Sequence, residues 1–355
     1  MKITAVRPYL KKLKLTKPYT IAYHTFSDVE LVFLEIELAN GLLGIGSASP
    51  AEEVVGENSQ QTLLNLQSEF VQNFLGRDIR HFQQIIFETN QHFPNLPGTI
   101  AAIDIALHDA FGKFLGVPVV DFYGRKIKSL PTSVTIGIMN LTETLEEAKN
   151  FFQLGFKVLK IKTGINLEED IERILRLNDV YKNKIKLRID ANQGYDLQDL
   201  QKFLLATEKA NLELIEQPLK VGKEKDLLVL TKKQRKFLTA DESLKNAQAA
   251  LKFSKKPLIF GIFNIKLMKC GGILNAFEIA TIAKNAQINL FWGCNDESII
   301  SITAALHAAF ACKNTKYLDL DGSFDLAEDV VNNGFILKNG MMTIGNKIGL
   351  GVHKI

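Results

Sequence analysis

The stretch TETLEEAKNFFQLGFKVLKIKTG, residues 142 to 164, holds one helix and one strand in succession. Leu145, Ala148, Phe151 and Phe152 recur at intervals of three or four beneath a charged face, the period of an amphipathic helix. KVLKIKTG (157 to 164) is short, apolar and closed by a turn residue, as a strand is. Similar runs lie on both sides of it: PTSVTIG (131 to 137), KIKLRID (184 to 190), LELIEQP (212 to 218), FLTADES (237 to 243), IFNIKL (262 to 267), INLFWG (288 to 293) and YLDLDG (317 to 322). The eight runs end in Thr135, Lys162, Asp190, Glu216, Asp241, Lys266, Cys294 and Asp319, which by subtraction stand 27, 28, 26, 25, 25, 28 and 25 residues apart. A strand plus a helix takes roughly 30 residues in a (β/α)8 barrel, whose catalytic groups gather at the C-terminal ends of its strands. The spacing therefore predicts a closed parallel barrel with eight polar side chains at one mouth.

The flanks read differently. KITAVRPYLKKLKL and VELVFLEIELANGLLGIGSASP are strand-like, with an Asn40-Gly41 hairpin signal, and helical stretches follow over roughly 59 to 92 and 98 to 116. Gly116 before Pro118 is a helix stop. Residues 1–125 are thus expected to form an α+β unit, 126–322 the barrel, and 323–355, with a second hairpin turn at Asn339-Gly340, a tail that packs back on the first segment to complete a cap. A length of 355 suffices for two domains and a large core. Apolar content of 46%, charged content of 23% and a net charge of +4 are those of a soluble globular chain. The basic run Lys232-Lys233-Gln234-Arg235-Lys236 lacks interleaved aromatics and is read as a solvated face, not a nucleic-acid patch. No window suits a membrane span and the N-terminus lacks a signal-peptide core, so a cytoplasmic location is expected. Cys270, Cys294 and Cys312 follow no zinc spacing and cannot all pair, which fits a reducing compartment.

Asp190, Glu216 and Asp241 end three successive strands, so neighbouring staves would hold three carboxylates within reach of one ion. An all-oxygen set suits Mg²⁺ rather than zinc. Lys160 and Lys162 are two apart on one strand and share an inward face, while Lys266 ends the sixth strand on the other side of the acids. An inward lysine beside another cation is desolvated and repelled, which should lower its pKa toward that of a base. Val158 shares the inward parity one step deeper, so charge is expected only at the open end. Asp104 and His108, spaced i,i+4 with no third ligand in view, are read as helix packing.

The pattern Lys160-x-Lys162, Asp190 in RIDANQGY, Glu216 in IEQP, Asp241 in ADES and Lys266 in NIKLMKCGG resembles the muconate-lactonizing-enzyme subgroup of the enolase superfamily. AAIDIALHDAFGKFLGVPVVDFYG (101 to 124) is similar to the helix and turn that lead into the barrel there, so the resemblance covers nearly the whole chain. It implies a (β/α)7β TIM-like barrel under an α+β capping domain built from both termini, and one Mg²⁺ per subunit on Asp190, Glu216 and Asp241. It further implies that Lys160 and the metal stabilise an enediolate while Lys162 and Lys266 exchange the α-proton from opposite faces. Related barrels commonly associate, so the resemblance implies a homo-oligomer.

Strand eight sets the expected substrate. YLDLDG puts Asp319 and Asp321 two apart, hence on one side, where paired carboxylates would hold an ammonium group. This Asp-x-Asp resembles the signature of dipeptide epimerases, which points to L-Ala-X dipeptides and first to L-Ala-D/L-Glu from cell-wall (murein) peptide turnover. By the same resemblance Thr135 and Cys294 fall where substrate is contacted. One departure is His24, in YTIAYHTFSD, where L-Ala-D/L-Glu epimerases often offer an arginine to the glutamate side chain; a protonated histidine would hold that anion more weakly. o-Succinylbenzoate synthase and muconate cycloisomerase share the lysine and carboxylate frame but need no acid pair for an ammonium. A mandelate-racemase-like dehydratase would want a histidine at the end of strand seven, and WGCNDES has none. A barrel that only binds a dipeptide would be expected to lack a base or a metal ligand, and none is missing.

Overall fold

The structure, a computed structural model, describes all residues but 22, 23 and 51, and leaves out the side chains of 17–21, 24–26, 53 and 54. Eight parallel strands run in chain order around one curled sheet: Val134–Ile136, Val158–Lys162, Lys186–Asp190, Leu212–Glu216, Leu238–Ala240, Ile262–Ile265, Asn289–Trp292 and Thr315–Leu318. They are called barrel strands one to eight below. The first seven strands lie inside the segments predicted for them, shortened where turn residues take over, whereas the eighth, Thr315–Leu318, begins two residues before its segment and ends before Asp319. Between strands one and eight the ladder shrinks to a parallel bridge from Thr132 to Leu318. Side chains supplement it there: the Leu320 N–H donates to Thr132 Oγ1 (2.9 Å) and the Thr135 N–H to Asp321 Oδ2 (2.8 Å).

The lumen below the mouth departs from expectation. Leu214, Ile262 and Phe291 form a separate buried apolar cluster with Tyr317 against it, but Arg188, on strand three, is buried among these residues with none of its surface exposed. Its guanidinium lies 5.3 Å from the centre of the Phe291 ring and 5.2 Å from that of Tyr317. Charge is therefore not confined to the open end; it penetrates the lumen where two aromatic faces and hydrogen bonds from Nε and Nη1 offset its desolvation.

The N-terminal segment forms an antiparallel sheet of Ile3–Ile21, His24–Leu38 and Leu43–Ala48, with Gly41 at φ 80° in the predicted hairpin. The helix predicted over 59 to 92 is broken: Ser59–Gln67, Glu69–Gln72 and Phe82–His92 are separated by a turn in which Gly76 adopts φ 78° and Asp78 caps the next segment. Pro97–Leu115 is continuous and ends at Gly116, φ 74°. The sheet lies against this helix so closely that a Cβ on Gly46 would stand 2.0 Å from the Ala102 carbonyl oxygen.

Asp104 and His108 are packing residues. The His108 ring bonds to the Asp104 carbonyl (2.7 Å) and to Tyr123 Oη (2.8 Å), while the Asp104 carboxylate accepts the N–H groups of Ile273 (2.6 Å) and Leu274 (3.2 Å). These amides open the barrel helix Ile273–Asn285, so a carboxylate on the cap helix satisfies donors of the barrel. The tail returns in two ways. Val331–Asn333 pairs with Val352–Lys354, and Lys354 Nζ reaches Glu35 Oε1 on the cap sheet (2.6 Å). The hairpin Phe335–Lys338 and Met341–Ile344, turning at Asn339 and Gly340, adds instead to Ser129–Pro131, the stretch leading into the barrel. Among the described residues no helix is long and apolar enough to cross a membrane.

His307, on the helix Ile299–Phe310, accepts the Val120 N–H at Nδ1 (2.9 Å) and is buried. Burial, then the nearby Arg125, pushes it down to about 3 from the ordinary 6.5. The fold holds it neutral, whereas the unfolded chain takes up a proton below about 6.5, so stability is complete above that pH and falls below it. At pH 5 the loss should be about 2 kcal/mol, and His307→Gln should remove that much of the difference between urea midpoints at pH 7 and pH 5.

Candidate active site

The strand register sets the three acids side by side. Lys162 pairs with Asp190 across strands two and three, Asp190 with Glu216 across three and four, and Glu216 with Thr239 across four and five, two residues before Asp241. Asp190, Glu216 and Asp241 are 1%, 0% and 3% exposed, so all three are shielded from bulk solvent. Lys160 Nζ lies among acids, 2.9 Å from Asp190 Oδ2, 2.9 Å from Glu216 Oε2 and 2.8 Å from Asp319 Oδ2. Lys162 Nζ donates to Asp190 Oδ2 (2.8 Å) and Asn192 Oδ1 (2.7 Å). Across the mouth, Lys266 Nζ stands 3.1 Å from Asp241 Oδ2. Strands two and six are four staves apart in a ring of eight, so Lys162 and Lys266 rise on opposite sides.

The electrostatics reverse one expectation. Burial lowers the Lys160 pKa, but Asp190, Asp319 and Glu216 outweigh it and hold the ammonium well above its ordinary value. Lys266 is likewise raised: burial opposes, and Asp241 prevails. A neighbouring lysine does not lower these amines while more acids than amines face them. Glu216 yields to the crowding of the acids: its carboxyl is pushed up to about 8 by burial and then by Asp190, which favours its neutral form. Burial pushes Asp321 up to about 7, with Asp319 adding to it.

Residues 143–353 match the enolase C-terminal domain-like family, and residues 3–124 match the N-terminal domain of the mandelate racemase / muconate lactonizing enzyme family. The chain belongs to the enolase superfamily. It is 50% identical over 355 residues, the full length of both chains, to an L-Lys-D/L-Arg epimerase of Desulforapulum autotrophicum. It is 31% identical over 346 residues, 96% of each chain, to an L-Ala-D/L-Glu epimerase of Clostridium acetobutylicum. A dipeptide epimerase of Methylococcus capsulatus, crystallised with Mg and the dipeptide L-Arg-D-Lys, superposes with a TM-score of 0.96 at 45% identity, covering 99% of each chain. With relatives that are epimerases over the full length, the chain is an isomerase.

In this enolase-superfamily barrel the donor set suits a hard divalent cation: carboxylate oxygens from three adjacent strands, one of which, Glu216 Oε2, is buried and makes no hydrogen bond although the Lys160 ammonium is 2.9 Å away. Among the described residues no three acid, histidine or cysteine side chains converge on one point at ligand spacing; the ammonium groups lie closest to the carboxylates. Asp319 and Asp321 both reach the mouth but differ in commitment. Asp319 accepts Ser133 Oγ–H at Oδ1 (2.5 Å) and pairs with Lys160, whereas Asp321 takes the Thr135 N–H and lies 3.9 Å from Cys294 Sγ. The Thr135 and Cys294 side chains are half-buried beside them. The side chain of His24 lies outside the described residues.

Three residues of the site had no signal in the spacing. Lys269, buried on the short helix Leu267–Cys270, donates to the Asp241 carboxylate and to the carbonyls of Asp241 (2.7 Å) and Asn264 (3.2 Å). Glu242 accepts from Asn192 Nδ2 (3.3 Å), and its Oε2 is buried without a hydrogen bond. Glu297, buried in the loop after strand seven, is pushed up to about 7 chiefly by burial.

Proposed function

We propose that this protein is a Mg²⁺-dependent dipeptide epimerase that inverts the α-carbon of the second residue by 1,1-proton transfer. The observation that carries the reading is the placement of Lys162 and Lys266 on opposite staves with three carboxylates on the strands between them. Asp190, Glu216 and Asp241 would hold Mg²⁺, which when bound supplies a positive charge for the substrate carboxylate and the enediolate it becomes. Lys160 lends a fixed ammonium to that charge. Lys162 removes the α-proton from one side, and Lys266 returns a proton from the other; in the reverse direction their roles exchange. Asp321, with Asp319 behind it, receives the substrate ammonium, and Thr135 and Cys294 line that end.

Within this reading the preferred second residue is cationic. L-Ala-L-Glu, the substrate first expected from the sequence, ranks behind L-Lys-L-Arg for two reasons. The relative of 50% identity is an L-Lys-D/L-Arg epimerase, against 31% for the L-Ala-D/L-Glu epimerase, and a crystallised relative of 45% identity holds L-Arg-D-Lys. Acids also stand at the rim, Glu242 beside Asp241 and Asp325 beyond Asp321, where a cationic ligand would meet them. Incubation with Mg²⁺ and separate L-Xaa-L-Yaa dipeptides in D₂O, followed by proton NMR at the second α-carbon, should show exchange with kcat/KM for L-Lys-L-Arg at least about tenfold above L-Ala-L-Glu. Faster exchange of L-Ala-L-Glu would reverse the ranking, and no exchange from any dipeptide would remove the epimerase assignment.

A further inference from the structure

Among the described residues Arg188 is a charged side chain of the barrel lumen that no catalytic role absorbs. It lies below the mouth, fully buried, and cannot touch a substrate. Its Nε donates to Glu213 Oε2 (2.9 Å), and its Nη1 donates to Ser133 Oγ (3.1 Å) and the Leu318 carbonyl (2.5 Å). An apolar residue of the same volume would fill this space at less desolvation cost. The arginine instead reaches from strand three across the lumen to the seam between strands one and eight, where the ladder is down to a single bridge.

Ser133 makes this contact directional. A hydroxyl has one proton, and with its oxygen accepting from the Arg188 guanidinium that proton turns to Asp319 Oδ1, 2.5 Å away, in preference to the Leu318 carbonyl, which is 3.3 Å away and already accepts from Arg188. Asp319 Oδ2 then holds Lys160 Nζ at 2.8 Å. The other two acids around Lys160 have anchors of their own: Asp190 Oδ1 accepts the Asn192 N–H (3.1 Å) and Glu216 Oε1 accepts Asn264 Nδ2 (2.5 Å). Ser133 is the matching anchor for the third.

We propose that Arg188 is a positioning residue: acting through Ser133, it fixes Asp319 and thereby the Lys160 ammonium at the reacting end of the site. The inference rests on the reading of Lys160 given above for the epimerase. Ser133→Ala removes only one oxygen from a fully buried position, and Arg188→Lys keeps the charge while losing the fork. Each should lower kcat about tenfold, since small misplacements of a catalytic group have effects of this size or larger. KM should stay within about twofold. The double variant should be no slower than the worse single, because both act on one path. A role confined to stability would lower Tm, leave kcat per folded molecule unchanged and give additive effects. Unchanged kcat in Ser133→Ala, or multiplicative losses in the double variant, overturns the proposal. A crystal structure of Ser133→Ala tests the geometry without any substrate: Asp319 should turn away from Lys160, and an undisturbed Asp319–Lys160 pair refutes the proposal even if the epimerase reading itself has failed for want of dipeptide exchange.

Discussion

Lys162→Ala should give an enzyme that exchanges the α-proton of only one epimer, and Lys266→Ala should give one that exchanges only the other. On the proposed mechanism each lysine faces one side of the α-carbon, because the two rise from staves half a turn apart around the ring. Deleting one base leaves the other able to pull off and return a proton on its own side, which washes in solvent deuterium without inverting the centre. Net epimerisation should fall by roughly three orders of magnitude in both variants, the range lost when a positioned general base is removed. Neither change leaves an isolated buried charge: Asp190 keeps Lys160 at 2.9 Å, and Asp241 keeps Lys269. Folding should therefore survive. Proton NMR in D₂O, with the L,L and L,D dipeptides supplied separately, gives four rates, and a pattern in which either variant treats both epimers alike would show that the lysines do not act from opposite sides.

Glu216→Gln should separate function from stability in opposite directions. The carboxyl is fully buried, pushed up to about 8 by burial and by Asp190, so its ionised form is disfavoured in the metal-free fold. Glutamine keeps an oxygen for the Asn264 Nδ2 donor and sheds the charge, and Lys160 retains Asp190 and Asp319. Without Mg²⁺ the variant should match or exceed the wild type in urea by up to about 1 kcal/mol. Losing one of three anionic donors should cost several kcal/mol of charge stabilisation in the transition state, about three orders of magnitude in kcat/KM. Calorimetric titration should show Mg²⁺ affinity falling in parallel, and EDTA should abolish the wild-type activity until Mg²⁺ is restored. An active Glu216→Gln protein with undiminished metal affinity would remove Glu216 from the metal site.

The parts legible in the sequence were those governed by periodicity. A residue such as Asp190 announces itself because a strand has a definite end, and the repeat of 25 to 28 residues fixes eight such ends at once. Alternation by two put Lys160 and Lys162 on one face before any contact was known. Arg188 obeys the same alternation, two residues before Asp190, yet its partners Ser133 and Leu318 come from strands that become neighbours only when the sheet closes. Lys269 was hidden for another reason: three residues after Lys266 on a one-turn helix, it has the spacing of an exposed helical lysine. The expected lowering of the lysine pKa failed because sequence proximity counted Lys160 and Lys162 as neighbours but not how closely three strands would press acids around them. The break in the helix over 59 to 92 turned on Gly76 and Asp78, a local turn inside an otherwise helical pattern.

The Asp104 carboxylate, spending both oxygens on the first amides of Ile273–Asn285, limits how the two halves of the molecule can move. Swinging the N-terminal unit away as a rigid hinged lid would strand a dehydrated anion and uncover two donors at once. Opening for ligand exchange is therefore confined to displacements local to the rim, and the catalytic cycle proceeds beneath a roof that stays bolted to its walls.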